Sequence, residues 1–398
     1  MRRYRILTLN HIASRGLARL PERSYEVGSS VAEPDAIVLR SAELEIAAVP
    51  ASVKAVGRAG AGINNIPVFE LSRRGVPVFN APGANANAVC ELVLAALLMG
   101  ARQLVAASRF VEGLQAEPGE YMARIESSKR AFSGMEIASR TLGVVGLGAV
   151  GALVASAATA LGMQVVGYDP ETSADATRRL PPRVQRVSTL DELLRRADFI
   201  TLHVPLLPAT RHLIDARQLA ICKDGAILLN FARDEIVDPL AVLAAVRSAR
   251  LGAYLCDFPD PRFRGERNIV ALPHLGASTA EAEENCAVMV VDQVRDFLEE
   301  GTIRNAVNFP PVDMPRESPH RLAIANANVP NMLGQISSTV ARAGLNIHDM
   351  VNRSRGEMAY TLVDLDSAIP LEVITTLAGI HGVLSVRAVP QLPGTAST

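Results

Sequence analysis

Hydrophobic and polar positions along this chain fall into a repeating order of short apolar runs and helical patterns. Runs rich in Ile, Val and Leu at Arg5–Leu9, Ala36–Leu39, Val53–Val56 and Val76–Phe79 read as strands, with helical patterns such as Pro67–Arg74 between some of them. Alternation of this kind predicts a parallel sheet covered by helices. One long helical pattern then runs from about Asn87 to Gly113. A second series starts at Thr141. It predicts strands at Leu142–Val145, Gln164–Gly167, Phe199–Leu202, Ala226–Asn230 and Tyr254–Asp257, and helices at Ala149–Leu161, Leu190–Ala197 and Leu240–Ser248. Asp238 can cap the last of these with Pro239 at its first position. Ser278, with Glu281 three residues on, makes a capping box for a further helix reaching about Glu300.

The pattern changes between Asn305 and Pro319, where Pro310, Pro311, Pro315 and Pro319 crowd together with few apolar residues. Residues 309–319 read as a proline-stiffened linker. Beyond it, the order is strand (Leu322–Asn326), helix (Asn331–Ala343), strand (Leu345–Asn352), strand (Glu357–Asp364), helix (Leu371–Gly379) and strand (Val383–Val389). That is a βαββαβ plan of ferredoxin-like type. Pro393–Thr398 reads as a frayed tail.

Composition narrows the class. The 398 residues are enough for two to four domains, and 49% hydrophobic with 20% charged residues describes a globular chain rather than a disordered one. Forty basic and 41 acidic residues leave a net charge of −1, with no basic run to track a polyanion, so nucleic-acid binding has no support. Cys90, Cys222, Cys256 and Cys286 form no C-x-x-C pair, which excludes a zinc pattern or disulfide framework and predicts a reducing, cytoplasmic setting with no metal. The apolar run after the basic start, Ile6 to Leu9, is too short for a signal-peptide core. Thr141–Tyr168 is uncharged and long enough to span a bilayer, but its six glycines and its strand–turn–helix–strand pattern place it in a buried sheet instead.

The strongest chemical signal is Gly146-Leu147-Gly148-Ala149-Val150-Gly151, between a predicted strand and a predicted helix. Gly146 permits a tight turn, Gly148 lets backbone approach a pyrophosphate, and Gly151 lets the helix pack on the sheet. The helix opens at Ala149 and Val150. The next strand ends at Asp169, where a carboxylate binds the ribose hydroxyls of NAD and repels the extra phosphate of NADP. Arg178 and Arg179 lie too far along to be assigned a role.

Further polar groups sit at other strand ends. Asn230-Phe231-Ala232-Arg233 closes one strand, Asp257 ends the next, and Pro273-His274-Leu275-Gly276 follows a third. In a doubly wound sheet, ligands bind beyond the carboxyl ends of the strands. Arg233 offers a bidentate fork suited to a carboxylate, and His274 exchanges protons near neutrality. Taken singly, Arg233 also reads as a surface salt-bridge partner and His274 as a loop histidine.

With these motifs in place, the chain resembles the D-isomer-specific 2-hydroxyacid dehydrogenases over nearly its whole length. The segments that carry the likeness are Gly57-Arg58-Ala59-Gly60-Ala61-Gly62-Ile63-Asn64-Asn65, Val78-Phe79-Asn80-Ala81-Pro82-Gly83-Ala84-Asn85, the glycine fingerprint, Leu202-His203-Val204-Pro205-Leu206, and Pro273-His274-Leu275-Gly276-Ala277-Ser278-Thr279. The first and last are specific to the phosphoglycerate branch of that family. The C-terminal unit resembles an ACT domain through Asn328-Val329-Pro330-Asn331-Met332-Leu333 and Ala343-Gly344-Leu345-Asn346-Ile347.

The resemblance implies an α/β chain. It has two doubly wound parallel-sheet domains of Rossmann and flavodoxin-like type, plus a C-terminal βαββαβ ACT domain. The expected boundaries are 1–98 with 279–308 for the substrate domain, 99–278 for the NAD-binding domain and 320–398 for the ACT domain, with the active site in the cleft between the first two. It implies NAD-dependent oxidation of D-3-phosphoglycerate to 3-phosphohydroxypyruvate, the entry to serine synthesis. Arg233 matches the family's substrate-binding arginine and His274 its catalytic histidine. Asp257 matches the aspartate beside the nicotinamide carboxamide. His203, Val204, Pro205, Ala232 and Gly276 fall in cofactor-contacting segments. Arg40 and Arg58 match arginines that hold the substrate phosphate, and Lys129 or Arg130 adds a third cation. Serine is the implied effector and a homodimer or higher homo-oligomer the implied assembly.

Two departures stand out. The family's glutamate, five residues after the strand-end aspartate, is replaced by Arg262, leaving Asp260 or Glu266 to partner His274. The ACT unit has Val329-Pro330-Asn331 where Arg-Pro-Gly is common, leaving Asn326, Asn328 and Asn346 as effector candidates. Two other readings remain compatible: a dehydrogenase acting on glycerate, erythronate phosphate or 2-oxoglutarate, and a non-catalytic NAD-binding regulator.

Overall fold

Three sheets carry the chain in the computed structural model, which describes residues 3–171 and 180–390. Arg178, Arg179 and the expected tail lie outside the described residues. The first sheet is formed by β1 (Tyr4–Leu9), β2 (Tyr25–Gly28), β3 (Ala36–Leu39), β4 (Ala55–Arg58) and β5 (Val78–Phe79), all parallel, in the order β2-β1-β3-β4-β5. The second comprises β6 (Thr141–Val145), β7 (Gln164–Tyr168), β8 (Gln185–Arg186), β9 (Phe199–Leu202), β10 (Ala226–Asn230), β11 (Leu251–Cys256) and β12 (Ile269–Ala271), again all parallel, in the order β12-β11-β10-β9-β6-β7-β8. The third is antiparallel, with β13 (His320–Ala327), β14 (Ile347–Arg355), β15 (Met358–Leu365) and β16 (Val383–Val389) in the order β14-β15-β13-β16. The two doubly wound sheets and the ferredoxin-like unit are those the pattern predicts. The strand Tyr25–Gly28 and the helices Tyr121–Ser128 and Ala216–Ile221 have no counterpart in that reading.

The chain divides into two compact units, 1–85 with 280–398, and 86–279. The boundary thus falls before the helix Ala86–Arg102 rather than within it. Val89, Val93, Ala96, Leu97 and Ala101 of that helix are buried in one core with Leu142, Val144, Phe199 and Leu229 of the second sheet, which claims the helix for the second unit. The expected continuous helix to Gly113 is broken. Gln103 takes a left-handed φ of 50°, and the next helix, Leu104–Gly113, bends away by 65°. Nothing local marks the break. The carbonyl of Ala101 accepts from Met135 N at 2.8 Å, and Gln103 Nε2 donates to Ser133 O at 3.1 Å, so a distant segment supplies the bonds that end the helix.

In the other unit, the helix Ala280–Glu300 runs through the core of the first sheet. It starts after Thr279, one residue later than a Ser278 cap predicts. Its buried Cys286, Ala287, Val290, Val291, Val294 and Phe297 follow helical spacing, and Gly57 of β4 admits it, since a Cβ there would lie 2.8 Å from Val290 Cγ2.

The proline-rich segment is no free linker, and the C-terminal sheet belongs to the same compact unit as the first sheet. Phe309, Val312 and Met314 are buried, and Ile303 and Val312 exchange backbone bonds at 2.8 and 3.0 Å. Arg321 of β13, fully buried, places all five of its N–H groups. Two go to Asp364 at 2.6 and 2.8 Å, and three to the carbonyls of Glu300, Met314 and Pro315, each at 3.0 Å. A side chain bound simultaneously to helix end, connecting segment and sheet holds all three in one arrangement. Arg387 of β16 adds to it, lying 4.2 Å over the Phe297 ring and donating to Leu298 O at 3.2 Å. Among the described residues no single helix is long and apolar enough to cross a membrane.

Candidate active site

The second sheet brings its polar strand ends into one row. Gly146 N donates to Tyr168 O at 2.8 Å, joining the ends of β6 and β7. His203 N donates to Val145 O at 2.7 Å, joining β9 to β6. Asp257 N donates to Asn230 O and His274 N to Asp257 O, both at 3.1 Å, continuing the ladder beyond β10, β11 and β12. Asp169, Gly146, His203, Asn230, Asp257 and His274 therefore follow one another along the carboxyl edge. Between β6 and β9 the strand order reverses, which is where such sheets open a crevice for ligands.

The three fingerprint glycines have distinct surroundings. Gly146 has φ of +91°, and a Cβ on it would come within 2.6 Å of His203 O. A Cβ on Gly151 would lie 1.9 Å from Gly146 O, so only glycine lets the helix Ala149–Ala160 start so close to the turn. A Cβ on Gly148 would meet nothing within 4 Å, so this backbone faces open space, as approach to a pyrophosphate requires. Asp169 accepts from Leu147 N at 2.8 Å and Glu171 N at 2.9 Å, which fixes its carboxylate beside that turn. These residues fit a dinucleotide. His203 lies against Thr201 Oγ1, 2.9 Å from its Nε2, and burial pushes its pKa down to about 3, so the ring is neutral.

On the other half of the row, Asn230 is fully buried. Its Oδ1 accepts from Ala232 N at 3.2 Å and its Nδ2 donates to Arg233 O at 2.8 Å, which fixes the start of the following loop. Arg233 donates to Ala232 O at 2.6 Å, and among the described residues no carboxylate pairs with its guanidinium. Asp257, also buried, accepts from Leu275 N and Gly276 N, each at 2.7 Å. His274 itself takes a left-handed φ of 59°, unusual for a residue with a side chain, and its ring meets Phe258 edge-on with centroids 5.2 Å apart. One aspartate thus holds the strained loop by three bonds. The loop is thereby held in one conformation around the imidazole.

The first sheet carries a separate set. Arg58 ends β4 opposite Leu39, the last residue of β3, and Arg40 follows Leu39 directly. Asn65, buried, accepts from Arg58 Nε at 2.9 Å and donates to Arg40 O and Ala42 O at 3.1 and 2.6 Å. Arg40 Nη1 lies 2.5 Å from Glu283 Oε1.

Residues 94–276 match the family described as D-isomer specific 2-hydroxyacid dehydrogenase, NAD binding domain. A D-3-phosphoglycerate dehydrogenase of Haemophilus influenzae is 33% identical over 346 residues, covering 84% of this chain and 80% of its own. The chain belongs to the D-isomer specific 2-hydroxyacid dehydrogenases. A D-3-phosphoglycerate dehydrogenase of Methanocaldococcus jannaschii is 32% identical over 368 residues, covering 89% of this chain and 67% of its own. Other matched relatives with that name are longer, and this chain spans 50 to 53% of them. Among solved structures, an NAD+-bound 3-phosphoglycerate dehydrogenase of Entamoeba histolytica has the same fold, with a TM-score of 0.61, 24% identity and coverage of 77% of this chain and 99% of that one. This dehydrogenase uses NAD.

Several expected sites are arranged otherwise in the dehydrogenase. Asp260 does not pair with His274. It caps the short turn Pro261–Phe263 and accepts from Arg262 N at 2.8 Å and Arg262 Nε at 2.9 Å, and the bond from that guanidinium holds its carboxyl below the usual range. Glu266 pairs instead with Arg247, at 2.7 Å. The arginine standing at the family's glutamate position therefore captures the neighbouring acid. Lys129 pairs with Glu126 of the preceding exposed helix, Tyr121–Ser128, and among the described residues neither Lys129 nor Arg130 is bonded to any residue of the strand-end row. The three asparagines of the C-terminal sheet do not form one site. Asn326 pairs across with Ala359, and Asn328 donates to Gly356 O at 3.0 Å, both at one end of the sheet. Asn346 bonds Asp366 beyond the other end, where Ile347 and His320 both face Leu365. Asn65, Asn230, Glu283 and Phe258 were given no role from the sequence. A buried amide beside an arginine loop is the signal that marks the first two, and only the fold brings Glu283 to Arg40.

Proposed function

We propose that this dehydrogenase oxidises D-3-phosphoglycerate to 3-phosphohydroxypyruvate, the first step of L-serine biosynthesis. The observation that carries the substrate is the pair Arg58, at the end of β4, and Arg40, just beyond the adjacent β3, each anchored by a second residue. Two fixed guanidinium groups suit a phosphate dianion, whereas a substrate with only a carboxylate needs no cations beyond Arg233. Bound NAD+ supplies the hydride acceptor. Arg233, which has no carboxylate partner among the described residues, binds the substrate carboxylate and stabilises the carbonyl oxygen as it develops. His274 takes the hydroxyl proton on its imidazole while the hydrogen on the same carbon leaves as hydride. Asp257 keeps the loop that presents the imidazole, and Asp169 engages the ribose hydroxyls.

The deciding experiment is NADH formation with D-3-phosphoglycerate set against unphosphorylated D-glycerate. The reading requires kcat/KM to favour the phosphorylated acid by at least about a hundredfold, the worth of a lost charge-assisted contact. Equal values would reject it. As part of the same reading, the protein is a cytoplasmic homo-oligomer, consistent with four buried cysteines that are all free thiols. Its C-terminal sheet takes an amino-acid effector such as serine. The separation of Asn346 from Asn326 and Asn328 means that no single effector molecule spans all three on one copy of the sheet.

A further inference from the structure

Arg40 and Arg58 belong to the same unit as the helix Ala280–Glu300, and their surroundings contain one charged group that the reaction does not explain. Glu283, in the first turn of that helix, places Oε1 2.5 Å from Arg40 Nη1. Both side chains are about one-third exposed, at 30% and 34%, so neither is sealed from a ligand. Among the described residues no other carboxylate pairs with Arg40. Burial raises the thiol of Cys286, one turn along, with Arg40 and Arg58 lowering it and Glu283 raising it.

A carboxylate beside a phosphate site is at first sight unfavourable. The charge sum still favours an anion, because two guanidinium groups outweigh one carboxylate. Glu283 also sits at a helix N-terminus, whose unsatisfied N–H groups stabilise its negative charge. Its ion pair holds Arg40 through Nη1, and the planar fork carries further N–H donors that suit a ligand. An unanchored arginine must lose much of its rotamer freedom when it binds, and an anchored one has already lost it. Arg58 has an equivalent anchor in Asn65, which accepts from its Nε at 2.9 Å. Glu283 thus holds the first cation by a charged group, and Asn65 holds the second by a neutral one.

We propose that Glu283 is a positioning residue for phosphate recognition, holding Arg40 ready for the substrate phosphate. The proposal rests on the phosphorylated-substrate reading above. The test uses the full chain with NAD+, comparing wild type, Glu283→Gln and Glu283→Asp, with thermal unfolding to verify the fold. Glu283→Gln is expected to raise KM for D-3-phosphoglycerate about tenfold, as for one weakened charge-assisted contact, with kcat held within about twofold. KM for D-glycerate should not move, and Glu283→Asp should recover most of the loss. Calorimetric titration of the same proteins with D-3-phosphoglycerate and with inorganic phosphate reads binding without turnover. If wild type fails to oxidise D-3-phosphoglycerate, the substrate reading falls, and the phosphate titration still decides the role of Glu283. A lower KM or tighter phosphate binding in Glu283→Gln would show that Glu283 competes with the anion and overturn the proposal. Unchanged binding, or equal shifts for both acids, would also overturn it.

Discussion

At the residue scale, the proposed chemistry is divided between two side chains, one beyond β10 and one beyond β12, with β11 between them. His274 stands at a strained φ of 59° and Arg233 has no carboxylate partner among the described residues. Removing the imidazole takes away proton transfer while leaving the fingerprint turn intact. His274→Ala is therefore expected to lower kcat by about 10²–10⁴-fold with NAD binding retained, as steady-state kinetics and cofactor titration will read. Arg233→Ala should raise KM and lower kcat together, because the same fork binds the carboxylate and stabilises the transition state. That no carboxylate pairs with His274 among the described residues is also a residue-scale matter. Asp260 and Glu266 are held by Arg262 and Arg247. Asp260→Asn should accordingly leave the acid limb of the oxidation pH–rate profile in place, and a shift of that limb would show that Asp260 leaves Arg262 during turnover. On the proposed reading Asp169 sets the cofactor preference: its carboxylate is fixed by two backbone N–H groups beside the turn. NADP should be the poorer substrate by kcat/KM, and Asp169→Ser should narrow the gap.

At the scale of elements, close approach sets the tolerances. A Cβ at position 151 would lie 1.9 Å from Gly146 O, inside any allowed contact. Gly151→Ala must therefore move the helix Ala149–Ala160 away from β6 or distort the turn. Loss of NAD affinity with a lower urea midpoint is expected, and an unchanged midpoint would mean that the turn adapts freely. The same rule explains the broken helix at Gln103. Leu104–Gly113 and Tyr121–Ser128 bury none of their residues within the chain, so no core registers their direction, and the carbonyl of Ala101 is taken by Met135 instead.

At the scale of the whole molecule, two buried groups control stability. Arg321 and Asp364 are both fully buried, and removing one leaves the other charged and unpaired. Arg321→Met should destabilise the unit by about 3–5 kcal/mol in urea unfolding, and Asp364→Leu added to it should recover part of that. His203 sets a pH dependence. Its folded pKa of about 3 lies below the ordinary 6.5, so the unfolded chain binds the extra proton between those values. Stability of the NAD-binding unit is then full above pH 6.5 and falls as pH drops toward 3, by up to about 1.4 kcal/mol per pH unit for one group. Unfolding midpoints measured across that range should flatten in His203→Gln.

The strand ends and the fingerprint were legible in the sequence because their signals are local. Phe199–Leu202, Ala226–Asn230 and Val383–Val389 begin and end where the apolar runs do, and Asp238 caps its helix by accepting from Leu240 N and Ala241 N, as its place before a proline predicts. The family followed from such motifs. What depended on partners distant in the chain was not legible. The capture of Asp260 by Arg262 is settled by the turn after β11, where a guanidinium two residues away outcompetes an imidazole on another strand end. The burial of the proline-rich segment depends on Arg321 reaching Glu300, Met314 and Pro315 at once, which composition cannot express. Asn326 and Asn346 look alike in sequence, yet antiparallel pairing sends them to opposite ends of one sheet. Sequence alone determined which groups can do the chemistry, because residue type sets charge, fork and proton affinity. Tertiary structure decided which of them meet, because hydrogen-bond partners are chosen by distance in space and not along the chain.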